Sequence, residues 1–271
     1  MSIKIDFIDK TVLVIGGTSG INRGVASLFA RHGARVAVAS RTQEKVNDTV
    51  AELKNIGAQS MGFTVDVRNA QAVKDGVMEV HESFGEFDVV ISGAAGNFVA
   101  TAMGMSANGF RAVIDIDLMG TFHVMQAVYP YLKKPGASVI SISAPQAFIP
   151  MEAQSHVCAA KAGVDMITRT LAMEWGPEGV RINSIVPGPI DNTEGMKRLA
   201  PTAEILEGVK QSVPLKRLGT VEDIGNACLF LGSPIGNYIN GAVIPVDGGW
   251  SQNGTGVMRS SLSDFAQGTN K

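Results

Sequence analysis

The chain has 271 residues, 45% of them hydrophobic, and a formal net charge of −2. That balance supplies no basic surface for nucleic acid or an anionic membrane, and no apolar run reaches the ~18 residues a membrane span needs. The start, Met1 to Phe7, is too mixed for a signal peptide, and Cys158 and Cys228 form no paired motif, so they read as buried thiols of a reducing, cytoplasmic compartment with no metal site.

Residues 12–15 are a short, β-branched apolar run, the pattern of a buried strand. Gly16, Gly17 and Gly20 follow, and a helical pattern then begins with Val25, Ala26, Leu28 and Phe29. Strand, glycine turn and helix is the order that holds a dinucleotide pyrophosphate. Glycines let backbone N–H groups approach the phosphates, and the helix N-terminus supplies favourable partial charge. Thr18, Ser19 and Ile21 belong to the same turn. A plain tight turn is the alternative.

Residues 35–40 form a second strand, after a helix ending near Gly33. Residues 61–65 form a third, after a helix over 42–56. Residues 89–91, 139–142, 181–186 and 242–246 supply four more. Strands alternating with helices argue for an α/β fold, a parallel sheet with helices on both faces, in a single domain over 1–271. Residues 193–213, polar and broken by Pro201, read as a substrate lid. Residues 260–271 read as a loose tail.

In such sheets the site lies beyond the C-terminal ends of the strands. Ser40 and Arg41 follow the second strand, where an NAD site usually places an acid roughly 20 residues past the glycines. A guanidinium there suits a 2′-phosphate and favours NADP(H); a solvated surface arginine is the alternative. Asp66 and Val67 follow the third strand, where a carboxylate accepts from an adenine amino group or caps a helix. Ala94, Ala95 and Gly96 follow the fourth and let a cofactor lie against the backbone. Asn97 and Phe98 come next and point to the substrate.

With these residues the chain resembles the short-chain dehydrogenase/reductase family over about residues 8–251. The matching marks include Gly16 to Gly20, Asp66-Val67, Gly93 to Gly96, Lys161, Asn183, Pro187 to Pro189 and Val246 to Trp250. The resemblance implies a Rossmann-like, doubly wound, seven-stranded sheet, a nicotinamide cofactor and a homotetramer. It adds Lys161, Pro187, Gly188 and Ile190 to the cofactor contacts. Two departures stand out. Asn22 replaces the third glycine of the turn, which normally allows close helix–strand packing. Val157 stands four residues before Lys161, where the family carries its tyrosine proton donor, and Ala144 takes the place of its serine.

A subgroup shares these absences. The chain is similar to the peroxisomal-type 2,4-dienoyl-CoA reductases at Ala94 to Phe98, Asp115 to Asp117, Gly120 to Phe122, His156, Ala159 to Lys161, Glu174 to Pro177, Pro187 to Ile190 and Thr193 to Gly195. The ending, Gly268 to Lys271, lacks a peroxisomal signal. The resemblance implies reduction of a conjugated enoyl- or dienoyl-CoA thioester with NADPH, Asp117 and Lys161 being catalytic. Asp117 and Lys161 would position a water as proton donor. Lys161 would also hold the nicotinamide ribose, and Asn97 would offer an amide N–H to the enolate oxygen. Lys197 and Arg198 are candidates for the coenzyme A phosphates, with a solvated helical face as the alternative. His156 either touches substrate or caps the helix of Lys161. Two other functions stay open: a reductase of another activated carbonyl or alkene, and a non-catalytic NADP(H)-binding sensor or scaffold.

The helix over 157–175 carries Val164, Ile167, Leu171 and Trp175 on one stripe. That is more apolar surface than one sheet contact requires. The family pairs this helix with the Asp117 helix, expected over 112–126, across a dimer interface; an ordinary core contact is the alternative.

Overall fold

The computed structural model describes residues 5–255, and the tail expected at 260–271 lies outside them. Seven strands build one sheet: β1 (Thr11–Ile15), β2 (Arg35–Ser40), β3 (Ser60–Thr64), β4 (Val89–Ser92), β5 (Ser138–Ile142), β6 (Arg181–Pro187) and β7 (Val243–Val246). All pairings are parallel, in the order β3-β2-β1-β4-β5-β6-β7. Every strand falls within two residues of its expected place. This is the doubly wound Rossmann-like α/β fold.

Side chains alternate across the sheet and feed two cores. Val12, Val14, Val36, Ile91 and Ile140 face α1 (Gly20–Arg31), α2 (Gln43–Asn55) and α9 (Val221–Gly232). Leu13, Ile15, Val90, Val139 and Ile182 face α3 (Ala70–Phe84), α5 (Gly120–Val128) and α6 (Ser155–Trp175). The chain order reverses at β1, which lies between β2 and β4. The crevice that opens there, beyond the strand ends, is where such sheets bind ligands.

The expected stripe on α6 is spent inside. Leu171 and Trp175 join the core of their face, Ile167 packs against it, and Val164 is buried. The apolar surface left outside lies on other faces: Met166, Met173, which is 81% exposed, and, on the neighbouring helices, Phe110 and Phe122.

The helix expected over 112–126 is longer and not regular. It runs from α4 (Ala107–Val113) through a π-helical segment, Ile114–Met119, into α5. A π turn closes one residue later than an α turn and marks a local irregularity that recurs at functional sites. Here it carries Asp117. The segment lies against α6 at a tight point, for a Cβ built on Gly163 would come within 2.7 Å of Leu118 Cδ1 and 3.0 Å of its Cδ2. Any side chain at 163 forces Leu118 to move, and a branched one forces it further. Gly163→Val is therefore expected to destabilise the fold by ~1–3 kcal/mol through overpacking, read as a lower urea midpoint. An unchanged midpoint would show that the two elements are not closely packed.

Candidate active site

The loop from β1 into α1 comes close to the loop after β4. Gly16 has φ +78°, and a Cβ there would stand 2.9 Å from the Ala94 nitrogen. Only glycine satisfies both demands. Beside this contact lies a cleft of about 190 Å³, lined by Gly16, Thr18, Ser19, Ser40, Arg41, Asp66, Val67, Ala94 and Ala95, all expected cofactor residues, together with Asn22 and Ile116. The Ser40 hydroxyl is buried there without a partner. Gly20 and Ile21 open α1 at its edge. A cradle of small residues at a helix N-terminus fits the pyrophosphate of a dinucleotide.

Pro187, Gly188 and Ile190 do not line this cleft. Pro187 closes β6, and Gly188 is packed so tightly that a Cβ would lie 2.6 Å from Asp247 Cα. Ile190 lines a separate cavity of about 490 Å³ with Leu215, Arg217 and Asp247. Asp66 is not free: Arg68 Nε donates to both its oxygens at 3.0 and 3.1 Å, and Arg68 Nη2 to Oδ2 at 2.5 Å. These bonds hold the Asp66 carboxyl below the usual carboxylate range. Asn22 donates from Nδ2 to the Gly93 carbonyl at 2.8 Å. Where the glycine pattern implies bare packing, a hydrogen bond joins α1 to the loop after β4.

Asp117 and Lys161 meet in the interior. They are 1% and 6% exposed, and Lys161 Nζ lies 3.4 Å from Asp117 Oδ2. Each also has a backbone partner: Gly96 N donates to Asp117 Oδ1 at 2.7 Å, and Lys161 Nζ donates to the Ile142 carbonyl at 3.1 Å. Thr121 Oγ1 donates to the Asp117 carbonyl at 2.6 Å within the irregular turn. Val157 packs with Val113 and Ala160, against Ile114 and Leu118. The family's tyrosine position is therefore an apolar contact between α6 and the π segment.

Asn97 follows Gly96, whose N–H holds Asp117. Its side-chain oxygen accepts from Gln154 Nε2 at 3.2 Å, and its carbonyl accepts from Arg198 Nη1 at 3.5 Å. Phe98 covers His156, with ring centroids 4.4 Å apart. His156 does not cap α6; Gln154 occupies that place. It is fully buried, and burial, offset in part by the Phe98 backbone, holds its imidazole below the ordinary histidine range. Residues 193–213 form two short helices, α7 (Glu194–Leu199) and α8 (Ala203–Ser212), which bury none of their own side chains. Lys197 pairs with Glu194 at 3.6 Å.

Sequence reasoning missed Arg68, Gln146, Gln154 and Asp165. Asp165 lies one helical turn beyond Lys161, a spacing that was legible. It is buried and accepts from Ser184 Oγ at 2.8 Å.

A family profile described as enoyl-(acyl carrier protein) reductase matches residues 16–251. A peroxisomal 2,4-dienoyl-CoA reductase of Arabidopsis thaliana, named as (3E)-enoyl-CoA-producing, is 38% identical over 97% of this chain and 91% of its own. A probable 2,4-dienoyl-CoA reductase of Bacillus subtilis, named as (2E)-enoyl-CoA-producing, is 39% identical over 89% of this chain and 96% of its own. The crystal structure of a short chain dehydrogenase from Bacillus anthracis superposes with a TM-score of 0.82 at 39% identity, covering 89% of this chain and 96% of that one. The chain belongs to the short-chain dehydrogenase/reductase family, an oxidoreductase family whose fold implies a nicotinamide cofactor.

Asp165 offers a test of this interior. Burial is the largest influence on its carboxyl and raises it above the ordinary value of 3.8; the Ser184 bond offsets part of the rise. The fold thus favours the protonated form. That contribution to stability is present in acid and is lost as pH rises through the raised value. Asp165→Asn removes the titration, so its urea midpoint should fall less than the wild-type midpoint between mild acid and neutral pH. Parallel pH profiles would refute this.

Proposed function

We propose that this member of the short-chain dehydrogenase/reductase family is an NADPH-dependent reductase of conjugated enoyl- or dienoyl-CoA thioesters. The observation that carries the reading is the buried Asp117–Lys161 pair beside an apolar Val157. The tyrosine-based acid of carbonyl reduction has no counterpart there. A carboxylate and an ammonium 3.4 Å apart, each tied to backbone, instead form a fixed polar floor.

Ser40 and Arg41 select the phosphorylated cofactor. Arg41 offers a planar fork to a 2′-phosphate, and the unpartnered Ser40 hydroxyl adds a further hydrogen bond. The bound cofactor supplies the reducing equivalent. Lys161 donates to Ile142, and its remaining donors serve the ribose and a water. Asp117 orients that water as proton donor toward the substrate carbon. Asn97 donates an N–H to the thioester oxygen as charge develops there, an interaction that strengthens in the transition state. Phe98 lines the acyl path, and α7 and α8 act as the lid.

Exposed Met166, Met173, Phe110 and Phe122 on α4, α5 and α6 support assembly through these helices into a homotetramer. Two free cysteines fit a reducing, cytoplasmic location. Among the described residues no helix is long and apolar enough to cross a membrane.

The purified protein is expected to oxidise NADPH rapidly with a short 2,4-dienoyl-CoA and negligibly with a matched simple ketone. Lys161→Ala and Asp117→Ala should each lower kcat by ~10²-fold or more; unchanged turnover in either would remove that residue from the chemistry. No thioester turnover despite tight NADPH binding would move the assignment to a different activated substrate or to a cofactor-binding sensor. Arg41→Asp should shift preference from NADPH toward NADH by at least ~10-fold, the size of one lost charge-assisted contact. An unaltered preference would show that Arg41 does not meet the 2′-phosphate.

A further inference from the structure

Three side-chain amides form a chain that ends at the site. Gln146 Nε2 donates to Gln154 Oε1 at 2.9 Å, and Gln154 Nε2 donates to Asn97 Oδ1 at 3.2 Å. Gln146 follows β5, Gln154 immediately precedes α6, and Asn97 follows β4, so the chain links three segments. Gln154 is 1% exposed and Gln146 is buried beside it.

An amide chain has a direction. Each amide has an accepting and a donating end, and rotating all three would reverse every bond. One contact breaks this symmetry, although it leaves Gln146 Oε1 buried without a hydrogen-bond partner among the described residues. Gln146 Nε2 also lies 3.5 Å from Met151 Sδ. A thioether sulfur has no hydrogen to give and can only accept. A nitrogen facing it is favourable; a carbonyl oxygen facing it sets lone pairs against lone pairs. With the Gln146 nitrogen toward Met151 and Gln154, each later bond is determined. Gln154 must donate to Asn97, and the Asn97 oxygen is consumed. Among the described residues Asn97 Nδ2 then has no hydrogen-bond acceptor, and it remains the free end of the chain.

The backbone at this point is held as well. The preceding Gly96 N–H is bound to Asp117, and the Asn97 carbonyl accepts from Arg198. Asn97 therefore has few ways to turn.

We propose that Gln154 and Gln146 are positioning residues which fix Asn97 with its N–H outward, so that the site presents a donor, never an acceptor, to the substrate's carbonyl oxygen. The inference rests on the thioester-reductase reading for the identity of that oxygen. It extends the reading to a structural reason why one amide orientation persists. A lone asparagine would present oxygen or nitrogen according to its surroundings, and an oxygen facing a developing oxyanion opposes the reaction.

The test uses Gln154→Glu and Gln154→Met. In Gln154→Glu the ionised carboxylate accepts from Gln146 as before but cannot donate, so Asn97 must turn its nitrogen inward and its oxygen toward the substrate. The kcat of this variant at neutral pH should fall by ~10²-fold, the usual loss of one oxyanion donor, with NADPH affinity unchanged as the check on folding. A protonated acid can donate again, so kcat of this variant alone should recover as pH is lowered. Gln154→Met releases Asn97 and should fall between the two. In an Asn97→Ala background, Gln154→Glu should cost nothing more, because the two act as a unit. Full neutral-pH activity in Gln154→Glu, or a pH profile parallel to wild type, would overturn the proposal, as would full additivity with Asn97→Ala. A neutron structure of the deuterated wild-type protein reads the direction without turnover. Deuterium on the outward atom of Asn97 supports the proposal, and an outward oxygen overturns it. Wild-type protein that reduces no thioester yet shows outward deuterium would refute the substrate reading while leaving the amide direction standing.

Discussion

Two buried opposite charges hold the centre of this molecule together. Taking a carboxylate and an ammonium out of water costs several kcal/mol per ion, and their mutual attraction repays this only with good geometry and further hydrogen bonds. At 3.4 Å the pair alone is not enough. The rest comes from the sheet: Ile142, the last residue of β5, gives Lys161 its carbonyl, and Gly96, just past β4, gives Asp117 its N–H. β4 and β5 are neighbours, so both supports lie on one rigid edge. The pair in turn ties α6, the π segment and the loop after β4 to that edge. Removing either charge leaves the other buried and uncompensated.

The loop over 93–97 is the shared member of two sites. Its Gly93 carbonyl accepts from Asn22 on α1, and its Ala94 backbone bounds Gly16. Three residues on from Gly93, Gly96 holds Asp117, and Asn97 receives Gln154 and Arg198. The cofactor cleft and the charged pair are thus attached to opposite ends of five residues. Small side chains are required at the first end because two backbones approach there, and at the second the backbone and the Asn97 amide hold hydrogen bonds. Asn22 belongs to this arrangement. A third glycine would give α1 closer packing and no bond to the loop; the amide gives a directed bond that fixes where the loop begins.

The strands were legible because buried parallel strands read as continuous apolar runs, and seven such runs stand in this chain. β3 shifts by a residue because Ser60 is polar and Gly62 carries no side chain, which blurs its start. Asp117 was legible from its apolar flanks, and from resemblance. The π segment was not, because an extra residue in a helical turn leaves the apolar spacing looking helical throughout. The two glutamines were illegible for another reason. Each sits among prolines and turn residues where a solvated polar side chain is the ordinary expectation, and only the packing of β5 against α6 brings them together. His156 divided between capping and contact in the sequence; the structure removes the cap and leaves a buried imidazole under Phe98.

The tyrosine's absence and the aspartate's presence are one change. Val157 packs with Val113 and Ala160 against Ile114 and Leu118, so the side chain at this position presses the π segment onto α6. A phenol would need a partner for its hydroxyl in that apolar cluster, and its bulk would part the two elements. Moving them apart by even a fraction of an ångström lengthens the Asp117–Lys161 contact, which sits on the same two elements, one turn along α6. The apolar residue at 157 and the buried pair thus share the same two elements. The pair, once formed, occupies the polar floor from which a phenol would otherwise act. The dry contact at Val157 lies one turn along α6 from Lys161 and packs the same two elements that carry the two charges.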